Sequence, residues 1–249
     1  MRKLAAYDAT DTRITYDTIF NHLNGELIYN GNSFFHIDKG WYRIDATFIN
    51  DLNTQCATML KDTWDTKIIK QKFDINKDED IFNQAYLNKP GALVLDTVTP
   101  ENIECCDILF YDQDNITFVH VKKGFTNTIR DLAAQVSIAA KRIRETIYSD
   151  FGYITKVETL AKTPVKKDHL RNLIAAQRFP PKGLVNLFKQ TPRPKLTFCL
   201  AFVDTANAPR SLFSDITKFN SNIAKYSLIE LSQDLRQMGF DFKVVQIEK

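Results

Sequence analysis

The run KLTFCLAFVD from Lys195 to Asp204 sets the strongest limit on the fold. Its apolar residues follow one another without the in-and-out alternation of a strand that has one side in water. A strand of this kind is buried on both faces. The sheet that holds it needs a covering layer on each side, and two amphipathic segments can supply it. Residues 126 to 149 carry Ile129, Leu132, Val136, Ala139, Ala140, Ile143 and Ile147 in one helical stripe. Residues 216 to 238 carry Phe219, Ile223, Leu228, Leu231, Leu235 and Met238. Thr128 with Asp131 three residues on predicts a capping-box-like start for the first of these helices.

Three further apolar segments read as strands: ALVLD at 92 to 96, then 103 to 111 and 117 to 123. The last two are joined by Asp112-Gln113-Asp114-Asn115, which has hairpin turn chemistry. Phe240 to Ile247 ends the chain as another strand. The expected fold is therefore α/β: a mixed central sheet containing 92–96, 103–111, 117–123 and 195–204, flanked by helices 128–148 and 216–238. Ahead of it, residues 13 to 23 read as a short helix. Hairpin strands follow, with turns at Asn30-Gly31-Asn32 and Asp38-Lys39-Gly40, and then a helix over 46 to 60. Asn76 to Asn88 reads as a short helix with acids in its first turn, stopped by Lys89-Pro90-Gly91. Residues 61 to 75 have a mixed, charged pattern that assigns no element. This divides the chain into a hairpin-and-helix part, 1–75, packed on a core, 76–249. The core carries a basic insertion at about 150–193, a flap or added lobe whose helical pieces break at RFPPKG and TPRPK.

With 249 residues, 44% of them apolar, the chain can bury one large core. No apolar run approaches the roughly 20 residues that span a bilayer, and the first residues do not make a signal peptide. Cys56, Cys105, Cys106 and Cys199 lack paired zinc spacing and suit reduced, buried thiols in a cytoplasmic protein. The net charge of +3 hides a strong asymmetry. His120 to Lys195 holds sixteen Lys and Arg against five Asp and Glu, a net of +11, while the remainder carries −8. Clustered cations are what phosphate binding needs, although a solvated basic face has the same composition.

The chemistry concentrates in NIECCDILFYDQDNITFVHVKKG, residues 102 to 124. It sets Asp107 near the start of one strand and two polar residues, His120 and Lys122, inside the next. Residues two apart on a strand share a face, so His120 and Lys122 project together while Val119 and Val121 pack away. A Lys within an apolar strand is costly unless it is paired or used. Gln135 follows on the helix.

An acid, a hairpin, x-Val-Lys and a helix with Gln in this order resemble the PD-(D/E)XK phosphodiesterase superfamily, to which many restriction and repair nucleases belong. The resemblance implies a restriction-endonuclease-like core and catalytic positions Asp107, His120, Lys122 and Gln135. The first acid and the acid of the (D/E)-x-K pair would hold Mg²⁺ or Mn²⁺, and the Lys would act on the attacking water. Asp107 matches the first acid, His120 stands in the second acid's place, and Lys122 matches the Lys. Glu79, on the preceding helix, would assist. Imidazole suits softer ions better than Mg²⁺, so His120 implies a variant ligand, a carboxylate such as Glu104 doing its work, or an inactive site. Glu104 points away from Asp107 on a regular strand, and a bulge at Cys105-Cys106 would reverse that. The metal-ligand candidates are thus Asp107, His120, Glu79 and Glu104. The strings DKGWYRID, ECCD, HVKK and LAAQ also resemble a sporadically distributed, uncharacterised bacterial family of longer proteins, in which a His before Val-Lys recurs. That resemblance implies a mobile-element or antiviral defence setting.

The simpler readings are a snorkelling Lys122, an Asp107 that caps a turn and a solvent-facing Gln135. His22, His36 and His169 have no ligand spacing. No phosphate-loop or nucleophile-elbow string occurs, and Trp41 and Tyr42 read as strand-borne core residues rather than base-stacking ones. The expected function is a metal-dependent nuclease that grips nucleic acid, DNA ahead of RNA, through Lys123, Arg130, Arg142, Lys166 and Lys167. The alternatives are a catalytically inactive module of the same fold that binds nucleic acid or a partner protein, and a subunit whose basic block meets an acidic protein. No membrane is implied, and a homo-oligomer is compatible with either.

Overall fold

A computed structural model describes residues 3–7, 10–18, 25–37 and 40–249. In chain order, β1 (Lys3–Tyr7) and β2 (Arg13–Thr18) pair antiparallel. β3 (Gly25–Tyr29), β4 (Asn32–Ile37) and β5 (Gly40–Arg43) make a separate three-stranded antiparallel sheet. Asn30 and Gly31 both have positive φ, 48° and 72°, which is what a two-residue hairpin turn asks of its centre. There follow α1 (Ala46–Thr63), α2 (Glu79–Gln84), β6 (Ala92–Val94), β7 (Ile108–Tyr111), β8 (Asn115–Lys123), α3 (Thr128–Ile147), α4 (Gly152–Ala161), α5 (His169–Ala176), α6 (Leu184–Phe188), β9 (Lys195–Val203), α7 (Asn222–Gln237) and β10 (Asp241–Ile247).

The chain is α/β, with a five-stranded mixed sheet of order β10-β9-β8-β7-β6 flanked by helices. β6, β7 and β8 form an antiparallel meander, whereas β9 runs parallel to both β8 and β10. β9 is buried from Thr197 to Val203, as its unbroken apolar run requires. Phe118 of β8 stacks on Phe198 of β9 at 4.7 Å, and Phe188 of α6 lies 6.1 Å from Phe118. Helix α7 packs between α1 and α3. Asp45 caps α1 by accepting from the Thr47 amide, and the buried Lys225 of α7 donates to Asn53 of α1.

A parallel β8–β9 pair needs a crossover connection. α3 begins it, and residues 150–193 complete it as an insertion tied firmly to the sheet. The Gln177 side chain accepts from the Val94 amide at 3.0 Å and donates to the Val94 carbonyl at 2.7 Å, closing the open side of edge strand β6. Arg171 donates to the carbonyls of Thr97 and Leu160, and the Tyr153 hydroxyl donates to Ile103.

Several local expectations change. Trp41 and Tyr42 of β5 are exposed rather than core residues, and α7 begins at Asn222 rather than at 216. Residues 13 to 18 are strand β2, not helix, because the β-favouring ITYDT stretch pairs with β1; residues 19 to 23 lie outside the described residues. Asn127, not Thr128, is the α3 N-cap and makes no side-chain bond, while Asp131 pairs with Arg130. The strand expected from 103 begins only at Ile108.

Removing the Gln177 amide would orphan two buried backbone groups of β6. Gln177→Ala is expected to lower stability by about 2–3 kcal/mol, read from urea unfolding midpoints; an unchanged midpoint would show that water takes over both bonds.

Candidate active site

Four elements end around one cavity. Asp96 follows β6, Asp107 immediately precedes β7, His120 and Lys122 lie near the end of β8, and Glu79 opens α2. With Glu104, Gln135, Leu132, Val121, Asn83, Asp78 and Asp80 they line a hollow of about 350 Å³. The hairpin geometry explains part of this. The Asp107 amide donates to Val119, so Asp107 keeps the β7–β8 register, and its Oδ2 accepts from the Val121 amide at 2.6 Å. His120 and Lys122 project to the same cavity from alternate positions, as strand periodicity dictates.

Carboxylate oxygens of Asp96, Glu104 and Asp107 all lie within 4.8 Å of one another. Opposite ligands of a hard divalent ion stand about 4–5 Å apart, so one ion can reach all three. No lysine or arginine bonds to any of the three among the described residues. Burial raises each carboxyl, and nearby acids add to it. Asp107 is held well above the ordinary carboxylate range by desolvation and then by Glu104 and Asp96. Desolvation, opposed by the Thr97 hydrogen bond, brings Glu104 to about 7, and Asp96 is raised chiefly by burial.

The loop that carries Glu104 is tightly determined. Thr97, Glu101 and Asn102 have φ of 62°, 60° and 59°, a left-handed conformation that is costly for a β-branched threonine. The surroundings enforce it. Glu104 Oε1 accepts from the Thr97 amide at 2.6 Å while Arg171 holds the Thr97 carbonyl. Glu101 takes Arg142 at 2.8 Å and Lys156 at 2.6 Å, and these bonds pull its carboxyl down to about 2.

Each residue expected from sequence can now be placed. Glu104 does join Asp107, because residues 103 to 107 leave regular strand geometry. Glu79 reaches the cavity but receives Lys122 Nζ at 3.0 Å and the Lys123 amide at 2.7 Å. His120 forms part of the wall, outside the three-oxygen group. It is 1% exposed, burial lowers its pKa to about 4, and it bonds to the Cys105 backbone while its Nε2 has no partner. Gln135 stands at the mouth.

Of the expected phosphate-gripping cations, Lys123 donates to the Lys77 carbonyl beside the cavity. Arg142 is bound by Glu101 and Glu145. Arg130 pairs with Asp131 and lines a different, apolar hollow of about 530 Å³ with Phe35, Phe48 and Tyr226. Lys166 and Lys167 are exposed just ahead of Asp168, whose charge helps to raise the Asp96 pKa. Sequence reasoning missed Asp96 and its partner Asn83, which donates to Asp96 Oδ2 at 2.9 Å. ALVLD shows an acid at the end of an apolar strand, but nothing local ties it to Asp107.

A family model described as "Family of unknown function (DUF6119)" matches residues 1–248. No curated protein and no solved structure matches the chain.

A carboxyl whose pKa is higher folded than unfolded costs stability above the folded value, and that cost vanishes below the unfolded one. For Glu104 the window runs from about 7 down to its ordinary 4.5. Glu104→Gln, which keeps an acceptor for Thr97, is expected to stabilise the metal-free protein above pH 7, with the advantage fading as pH falls through that window. Thermal melts of both proteins across the range check it, and a difference that does not vary with pH would contradict it.

Proposed function

The chain belongs to that family of unknown function, DUF6119, and from the geometry of its acidic cavity we propose that it is a divalent-metal-dependent phosphodiesterase acting on nucleic acid. The observation that carries this reading is the convergence of three carboxylate oxygens within 4.8 Å in a cavity that also holds Lys122. The acid, hairpin, Lys and Gln-bearing helix on which the PD-(D/E)XK resemblance rests end in this one place, which supports the reading further.

Asp96, Glu104 and Asp107 would hold the ion. The raised carboxyls fit that role, because their repulsion is the electrostatic cost that a bound cation removes. A divalent ion there supplies Lewis-acid polarisation of a phosphoryl oxygen and makes a bound water more acidic. Glu104 fills the place that a second acid would take from β8. Lys122 is a cation aimed into the same space and fixed by Glu79, positioned to meet negative charge as it develops on phosphate. Buried and with its pKa depressed, His120 stays neutral and adds no charge that would repel the ion.

A second reading keeps the nucleic acid and drops catalysis. Lys122 is already engaged by Glu79, and a neutral His stands where the resemblance asks for an acid; both favour a binding module. In either case we place the protein in the cytoplasm, which four free, buried cysteines support, and put DNA ahead of RNA. No helix among the described residues is long and apolar enough to cross a membrane.

Purified protein with labelled single-stranded and duplex DNA and with RNA, in Mg²⁺ or Mn²⁺, separates the two. Cleavage is expected, stopped by EDTA and reduced about 10²–10³-fold in each of Asp107→Ala, Glu104→Ala and Lys122→Ala. Binding without cleavage under every metal condition would favour the module, and no binding of any nucleic acid would sink both.

A further inference from the structure

The far end of α3 carries a second feature of the basic block. Tyr148, the C-cap of that helix, is 73% exposed, the highest value among the large hydrophobic and aromatic side chains of the described residues. Exposed cations surround it. Arg193 lies over its ring at 5.9 Å, and Lys141, Arg144 and Met238 line with it an open hollow of about 490 Å³. Lys189, also exposed, sits 4.9 Å over the neighbouring Phe151 ring. Among the described residues none of these four cations pairs with a carboxylate, and Glu145, the acid nearest to them in the hollow, is taken by Arg142. Of the other twelve cations in the basic block, eight are spent within the protein, on Glu79, Glu101, Asp131, Glu158, Asp241 and backbone carbonyls.

We propose that the Tyr148 hollow binds single-stranded nucleic acid, with Tyr148 stacking on a base and Lys141, Arg144, Lys189 and Arg193 holding the backbone. This rests on the reading that nucleic acid is the substrate, and it names the strand state. Charge alone suits any polyanion. The exposed ring between unpaired cations narrows the choice, because a flat π surface gains from an unstacked base, whereas a duplex turns its phosphates outward and keeps its base faces covered. The helix also connects the two places. Gln135 at the mouth of the acidic cavity and Tyr148 are thirteen residues apart on α3, about 20 Å along its axis. Ile138, Lys141, Glu145 and Tyr148 follow one another at three- and four-residue steps on its exposed side. Thirteen residues also turn the helix so that Tyr148 lies about 140° around the axis from Gln135, and a strand held at Tyr148 would cross the exposed side of α3 on its way to the carboxylates.

The test is fluorescence polarisation of a labelled oligothymidylate with the full chain in EDTA, where no cleavage occurs. Tyr148→Ala is expected to weaken binding roughly tenfold or more, and Tyr148→Phe to retain it. Arg144→Ala with Arg193→Ala should flatten the slope of log affinity against log salt by about 1.4. A duplex of the same length should compete poorly. Equal affinity for duplex, an unchanged affinity of Tyr148→Ala, or competition by poly-glutamate as strong as by oligothymidylate would each overturn the proposal. Because no metal is present, loss of this binding leaves the cleavage reading standing, and a failure to cleave leaves the binding result standing.

Discussion

The parallel pairing of β8 with β9, in unbroken register from Asn115↔Lys195 to Lys123↔Val203, is the constraint on which the other parts depend. Two parallel neighbours cannot be joined by a turn, so the whole of α3 to α6 must travel from one end of the sheet to the other. That journey places the basic block on the outside of the molecule and brings α3 past the end of β8. It also supplies the side chains that close β6. The same pairing sets His120 opposite Leu200 and Lys122 opposite Phe202, so two polar residues near the end of β8 face apolar partners on β9. They are tolerable there because the cavity and Glu79 receive them.

The acidic centre is an expensive arrangement that the fold pays for with ties from a distance. Three half-buried carboxyls crowd together, and the loop between β6 and β7 holds left-handed backbone at Thr97, Glu101 and Asn102. Left alone, such a loop would relax and the carboxylates would separate. Arg171 from α5, Arg142 from α3, and Lys156 and Tyr153 from α4 all bond to it between Thr97 and Ile103. Several cations of the crossover are thus spent on rigidity. The basic composition of residues 120 to 195 accordingly overstates how much positive charge is free to meet a ligand.

Much of the architecture was legible in the sequence because its signals were long. The continuous run at 195 to 204, the apolar stripe of α3 and the hairpin turn at 112 to 115 each survive as elements of the structure. Short signals fared worse. RITYDT could be read at helical spacing, but its β-branched residues and a partner strand decide for β2. At the site, Asp107, His120 and Lys122 could be named from local pattern, whereas Asp96 could not. Its place depends on β6 ending beside β7 and on Asn83 reaching back from α2, and neither contact is local. Glu104 lay between the two cases. Strand periodicity points it away from Asp107, and only the irregular path through Cys105 and Cys106 turns it inward. The cations were hardest to read, since composition counts charges and does not show which already have partners.

The two-way amide bond between Gln177 and Val94 also carries an order of events. β6 is made early in the chain, but the residue that seals its open side comes more than eighty positions later, on the far side of three helices. During synthesis, and whenever α5 lifts away, a short strand with unsatisfied amides stands open next to the acidic loop, ready to accept a strand from another molecule. Self-association and disorder of the candidate site therefore share a single point of origin, so damage to α5, remote in sequence from every carboxylate, would present itself first as aggregation.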